Sequence, residues 1–199
     1  MKEEEWFRRK MGRLVRRYTQ KKPERLEKRI EFLERSEFPR GGIIVEIGVR
    51  YGLFSELLLE HLKPERFYLI DPWKNDGLDP GESRDNIRLE GEFRSCVARF
   101  RGRVPKVLRA KSADAAFSFA DEDFDFVYID GNHTYEFVLL DCLLWWPKVK
   151  KGGFLAGHDY EEKMRCDQWD PRKAVDRFAK IIDRKPTTVE GGTDWWIRR

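Results

Sequence analysis

Ile43-Ile44-Val45-Glu46-Ile47-Gly48-Val49-Arg50-Tyr51-Gly52-Leu53-Phe54 decides the fold of this chain. The first five residues are β-branched and apolar apart from Glu46, and such a run reads as a parallel strand buried on both faces. Gly48 and Gly52 supply a turn, and Leu53, Phe54, Leu57, Leu58 and Leu62 then recur at helical spacing. Working outward, strands are expected over residues 67–70, ending at Asp71, over 104–108, over Phe124–Ile129, ending at Asp130, and over 154–156 after Gly152-Gly153. Helices are expected between them, over 90–101, 135–146 and 174–182, with polar loops over 74–90 and 160–172. A closing hairpin pairs 187–189 with 195–197 around Gly191-Gly192, with Trp195 and Trp196 alternating in and out.

Strands that alternate with helices form right-handed βαβ units. The expected fold is therefore α/β: a doubly wound, mostly parallel seven-stranded Rossmann-like sheet with a terminal antiparallel strand. A helical extension precedes it. Trp6, Phe7, Met11, Leu14, Val15 and Tyr18 suggest one helix, and Leu26, Ile30 and Leu33, after Pro23, a second. The division is residues 1–40 as an arm and 41–199 as the domain.

The 199 residues are 40% hydrophobic and 38% charged, with a net charge of +4. Residues 1–40 hold 14 Lys/Arg and 8 Asp/Glu, a net of +6, which leaves −2 for the other 159 residues. The basic excess thus belongs to the arm, as a solvated helix face or as a surface for an acidic partner or nucleic acid. Cys96, Cys142 and Cys166 have neither metal-site nor disulfide-framework spacing. The acidic stretch from Met1 to Glu5 with no apolar run after it, and the lack of any long apolar segment, give a cytoplasmic expectation with no membrane span. The apolar stripes of the N-terminal helices need a partner, either the domain or a second copy in a homo-oligomer.

In such a sheet, ligands bind at the carboxyl ends of the strands. Glu46-Ile47-Gly48, Asp71, Ser112, Asp130 and His158-Asp159 all fall at or just beyond those ends. The glycine spacing, G-x-x-x-G, is not the one that cradles a pyrophosphate, and Glu46 would repel a diphosphate. These features argue against a nicotinamide dehydrogenase. A carboxylate there suits a ligand with a positive end, while Asp71, 23 residues beyond Gly48, stands where an acid hydrogen-bonds ribose hydroxyls. A nucleoside that carries an amino acid, such as S-adenosylmethionine, meets both requirements.

Val45 to Gly52 resembles motif I of class I methyltransferases, and Leu69-Ile70-Asp71-Pro72-Trp73 their second-strand motif. Two further stretches are similar to methyltransferase family 24: Phe124-Asp125-Phe126-Val127-Tyr128-Ile129-Asp130-Gly131-Asn132-His133-Thr134-Tyr135, and Trp145-Trp146-Pro147 followed by Gly152 to Tyr160. That group resembles O-methyltransferases acting on sugars and other small hydroxylated molecules. The resemblance covers roughly residues 42–160 and implies S-adenosylmethionine as cofactor. It implies Glu46, Gly48 and Gly52, with Tyr51 between them, at the methionine end, Asp71 at the ribose with Trp73 beside it, and Ser112 and Ala113 by the adenine. From metal-dependent members it implies a divalent cation, Mg, Mn or another, at Asp130 and Asp159, and His133 as general base. Asp130 also borders the cofactor. His158, the third residue of the expected metal set with Asp130 and Asp159, stands where those members have an acid, and an imidazole there suits metals other than magnesium.

The expected function is methylation of a small hydroxylated molecule, with His133 taking the hydroxyl proton. Two other readings compete: a nucleic-acid methyltransferase recruited by the basic arm, and a non-catalytic cofactor-binding or docking module. The slightly acidic domain and the lack of an N-P-P-Y-type motif count against the first. The grouping of Asp130, His133 and Asp159 counts against the second.

Overall fold

A computed structural model describes residues 23–35, 37–79, 83–160 and 169–199; the helix expected over 6–18, Cys166 and most of the loop after Tyr160 lie outside them. The strands are β1 (Ile43–Ile47), β2 (Arg66–Asp71), β3 (Pro105–Arg109), β4 (Phe124–Ile129), β5 (Val149–Gly157), β6 (Thr187–Thr188) and β7 (Trp195–Arg198). The described helices are α1 (Pro23–Leu33), α2 (Leu53–Leu62), α3 (Asn86–Phe100), α4 (Ser112–Ala116), α5 (Tyr135–Trp145) and α6 (Pro171–Ile181), with a 3-10 turn at Trp146–Lys148. They build one sheet in the order β3-β2-β1-β4-β5-β7-β6. β1 to β5 pair in parallel, and β7 runs antiparallel to both β5 and β6. The expected Rossmann-like, mostly parallel seven-stranded sheet is thus the observed one. Strand order reverses at β1 and β4, which opens a crevice above their carboxyl ends.

Several boundaries follow from capping chemistry the periodicity does not carry. α3 starts at Asn86 because the Asp85 carboxylate accepts from Arg88 N at 2.7 Å, and α6 starts at Pro171 because Asp170 accepts from Lys173 N at 3.1 Å. The short helix α4 has too few residues to show a period. β5 extends on both sides of the expected 154–156. Trp195 and Trp196 do not alternate between core and solvent. Helices cover both sheet faces, so Trp195 joins the core that holds Trp145 and Phe178, and Trp196 joins the opposite core with Phe32 and Phe126. Cys96 and Cys142 are buried free thiols.

Helix α1 is part of that second core. Phe32 and Leu33 are fully buried, and the Phe32 ring lies 4.9 Å from Phe38, 6.1 Å from Tyr128 and 5.6 Å from Trp196, centroid to centroid. The domain therefore covers the end of this helix, at Phe32 and Leu33. Phe32→Ala is expected to cost roughly 3–5 kcal/mol, since it removes ring contacts and leaves a cavity. Urea unfolding would read this as a lowered midpoint; a shift below about 1 kcal/mol would mean that α1 is only loosely attached.

Candidate active site

A cavity of about 1080 Å³ opens above the carboxyl ends of β1, β2, β4 and β5. Every residue expected to hold the cofactor lines it except Gly52. Gly52 instead caps α2 with φ 72°, and a Cβ there would lie 2.5 Å from the Phe100 ring. Its role is close packing of helix on helix. Gly48 is the tight point of the cradle: φ is +84°, its N–H donates to Ile70 O at 2.8 Å, and a Cβ would sit 1.9 Å from Asp130 O. No side chain fits between the motif I turn and the end of β4.

Asp71 fastens this turn from β2. Its Oδ2 accepts from Val49 N at 3.0 Å and Arg50 N at 2.9 Å, and its Oδ1 accepts from Trp73 N at 2.6 Å. Burial raises its pKa, and these three N–H groups oppose the rise. The buried Trp73 indole donates to Arg50 O at 2.8 Å, which ties the segment after β2 to the same turn. Glu46 is buried at the floor, where Ser55 Oγ donates to its Oε2. Burial pushes the Glu46 carboxyl up to about 8, with the Ser55 bond opposing.

On the β4–β5 side, Asp130, His133 and Asp159 place one donor atom each within 4.8 Å of one another. His133 Nε2 lies 2.7 Å from Asp159 Oδ2 and 3.6 Å from Asp130 Oδ1. Asp159 adopts φ 62°, so the chain has already turned and both His158 and Asp159 face the cavity. The group differs from the expected metal set in one member. His158 is set back: its Nδ1 is 2.9 Å from Asp159 Oδ1 and 4.0 Å from Asp130 Oδ1, and its Nε2 is 2.7 Å from Thr193 Oγ1. Burial disfavours charge on both imidazoles. Asp130, Asp159 and Asp79 outweigh that at His133 and hold its pKa well above the usual histidine range. His158 is also raised, with the Arg29 charge opposing Asp130 and Asp159.

Residues 45–160, β1 through His158-Asp159, match the family model described as a methyltransferase domain, family 24. The chain belongs to this methyltransferase family. A protein of Acanthamoeba polyphaga mimivirus, uncharacterized protein R132, is 25% identical over 143 residues, 69% of this chain. The chain spans 59% of that relative's length. Among solved structures, a Corynebacterium glutamicum protein aligns with TM-score 0.57 at 18% identity, covering 92% of this chain and 87% of that one. An S-adenosylmethionine-dependent methyltransferase from Aquifex aeolicus aligns with TM-score 0.52 at 13% identity, covering 84% and 94%. At these identities the structural likeness is one of fold. The family is thus one of methyltransferase domains, and the sheet has the fold of these solved structures.

The domain also has site residues that the sequence pattern does not reveal. Asp141 of α5 lines the cavity, buried, and accepts from Ser112 Oγ at 2.6 Å; Trp145 Nε1 donates to the same hydroxyl at 2.9 Å. Ser112, expected by the adenine, is thereby fixed by two α5 side chains. A carboxylate on the buried face shared by Val138, Cys142 and Trp145 is the signal that could have found Asp141. Asp79 and Trp169 belong to the two loops flanking the site. Trp169 stacks on His133 with centroids 4.5 Å apart and donates its Nε1–H to Asp79 Oδ1 at 3.0 Å. Nothing in the sequence spacing announces that contact. Among the described residues, no helix is long and apolar enough to cross a membrane.

Burial raises Asp141 to about 7. Because the folded value lies above the ordinary 3.8, its stabilising contribution is complete below about pH 4 and fades as pH rises through 7. Stability should therefore fall between pH 5 and 7 by at most about 1.4 kcal/mol per pH unit from this group. Asp141→Asn should flatten that slope; urea midpoints with the wild-type slope retained would show that Asp141 stays ionised throughout.

Proposed function

We propose that this methyltransferase transfers a methyl group to the oxygen of a small hydroxylated molecule, with His133 as the base and Asp130 and Asp159 as the seat of a divalent cation. The observation that carries this reading is the convergence of Asp130, His133 and Asp159 beside the Gly48 cradle in one cavity. Methyl transfer from a sulfonium needs little activation of the donor, so the residues mainly align the acceptor and take its proton. The cradle fits an S-adenosyl group: Gly48 lets a ligand approach the backbone, Asp71 stands by the ribose position, and Glu46 faces the aminoacyl end.

His133 Nε2 is the atom that receives the hydroxyl proton. In the field of Asp130, Asp159 and Asp79 the imidazole holds a proton of its own, which blocks it as a base near neutral pH. A cation bound between Asp130 and Asp159 would neutralise that field and lower the pKa of an acceptor hydroxyl. With His133 kept as the base, the two carboxylates would be the protein's ligands, an oxygen donor set that suits magnesium or manganese.

Calorimetric titration with S-adenosylmethionine and S-adenosylhomocysteine, with and without manganese, tests both halves. Binding should fall at least roughly 30-fold in Asp71→Asn, whose amide N–H₂ would oppose one or more of the N–H groups the carboxylate accepts. Manganese binding should be lost in Asp159→Asn while cofactor affinity stays. A folded protein that binds neither adenosyl compound would remove the methyl-transfer reading, and one that binds them with no metal effect would remove the cation.

A further inference from the structure

Arg29 is a buried arginine that reaches the active-site cavity from α1, a helix outside the matched stretch 45–160. Its guanidinium lies 3.6 Å from the centroid of the Phe54 ring, and its Nη2 donates to the Tyr128 hydroxyl and approaches Asp130 Oδ2 at 3.4 Å. Its Nε is 3.4 Å from Asp194 Oδ1, to which the Tyr128 hydroxyl also donates. Tyr128 on β4 is the register partner of Glu46 on β1, so both side chains stand on the same sheet face. Arg29 and Glu46 are close enough that the arginine's charge partly offsets the effect of burial on the Glu46 carboxyl.

The other cationic residues lining the cavity are placed differently. Arg50, Arg84 and Arg88 gather on Glu92 at 3.7, 2.6 and 3.5 Å, and Lys111 pairs with Asp76 at 2.6 Å. Glu92 sits on α3, which joins β2 to β3, Lys111 follows β3 and Lys74 follows β2; Arg50 follows β1, but its guanidinium turns to Glu92. On the β1–β4 side, where Glu46 and the Gly48 cradle place the aminoacyl end of an S-adenosyl ligand, Arg29 brings the guanidinium. An aminoacyl group carries one ammonium and one carboxylate: the Glu46 carboxyl can accept from the first, and the Arg29 guanidinium can donate to the second.

We infer that Arg29 binds the α-carboxylate of the cofactor's methionyl group, so that α1 completes the cofactor site. The inference rests on the adenosyl-binding reading above. The arginine's guanidinium presents five N–H groups in a planar fork suited to a carboxylate. The contacts to Phe54, Tyr128 and Asp194 hold that fork in place before the ligand arrives, so binding orders little that is not already ordered.

The test compares two ligands that differ by the carboxylate alone: S-adenosylhomocysteine and its decarboxylated counterpart. Wild type should prefer the carboxylate-bearing ligand roughly 10- to 100-fold by calorimetry, the range of a charge-assisted hydrogen bond. Arg29→Met should bind both about equally, and Arg29→Lys should fall between. Because Arg29→Met leaves Asp194 buried without its charge partner, Arg29→Met/Asp194→Asn serves as a second variant. The readout is a ratio, and a reduced folded fraction lowers both affinities by the same factor and cancels. A preference that persists in both methionine variants, or that wild type lacks, overturns the inference while leaving the adenosyl reading intact. Wild type that binds neither ligand overturns both.

Discussion

Gly48→Ala is expected to cost the fold roughly 3 kcal/mol or more and to reduce adenosyl-ligand affinity beyond about 100-fold. Two effects add. Backbone at φ +84° is strained for any residue with a Cβ, and that Cβ would lie 1.9 Å from Asp130 O, a backbone atom that no rotamer change can move. Relief requires the motif I turn and the end of β4 to separate, which moves Asp130 away from His133 and Asp159. Gly41 supplies the control. It has φ +80°, but a Cβ added there would meet nothing within 4 Å. Gly41→Ala therefore carries the conformational cost alone, about 1 kcal/mol, and leaves binding unchanged. Urea unfolding and calorimetry on the two variants separate strain from collision. Equal losses at both positions would mean that the close approach at Gly48 is relieved without consequence.

His133→Gln is expected to lower the rate of methyl transfer by about 10²- to 10⁴-fold while cofactor affinity changes little. Glutamine keeps a polar group of similar reach but cannot take up a proton at neutral pH. The side chain sits beside Asp159 and against the Trp169 ring, on elements that follow β4 and β5, whereas Gly48 follows β1 and Asp71 ends β2, which is why binding and turnover should part. Single-turnover transfer to an acceptor found by screening hydroxylated compounds measures the first quantity, and calorimetry the second. A variant that transfers at the wild-type rate would assign the proton to another group. One that loses cofactor affinity in parallel would make His133 a binding residue.

The parts of this protein that are readable in sequence are those written in local pattern. Ile43–Ile47, Phe124–Ile129 and the strands around them carry a buried-strand composition, and their ends carry Glu46, Asp71, Asp130 and Asp159, all of which line the cavity. Gly52 reads as a ligand glycine because a turn glycine and a packing glycine look alike until Phe100, 48 positions away, is placed against it. His133, not His158, joins the two aspartates, because His158 is held back by Thr193 Oγ1 at 2.7 Å, a partner 35 positions away that no local pattern announces. Arg29 does carry a signal. It lies on the same helical stripe as Leu33, where a solvated charge would not be expected. Asp79 and Trp169 meet at His133 across 90 residues of chain, and such contacts exist only once the fold does.

The sheet order has a consequence for how the chain is made. β7 follows every other described strand in sequence yet lies inside the sheet, between β5 and β6. During synthesis from the N-terminus, residues 195–198 emerge after every other described strand, and until they insert, β5 presents an open edge of unpaired N–H and C=O groups. Asp194, the partner of Arg29 across 165 residues, arrives at the same moment. Any stage in which the parallel strands are assembled before that moment has an unsealed sheet and an arginine still lacking Asp194. That stage is the one at which a chaperone, a neighbouring ribosome's product or an aggregating strand competes with the chain's own last strand.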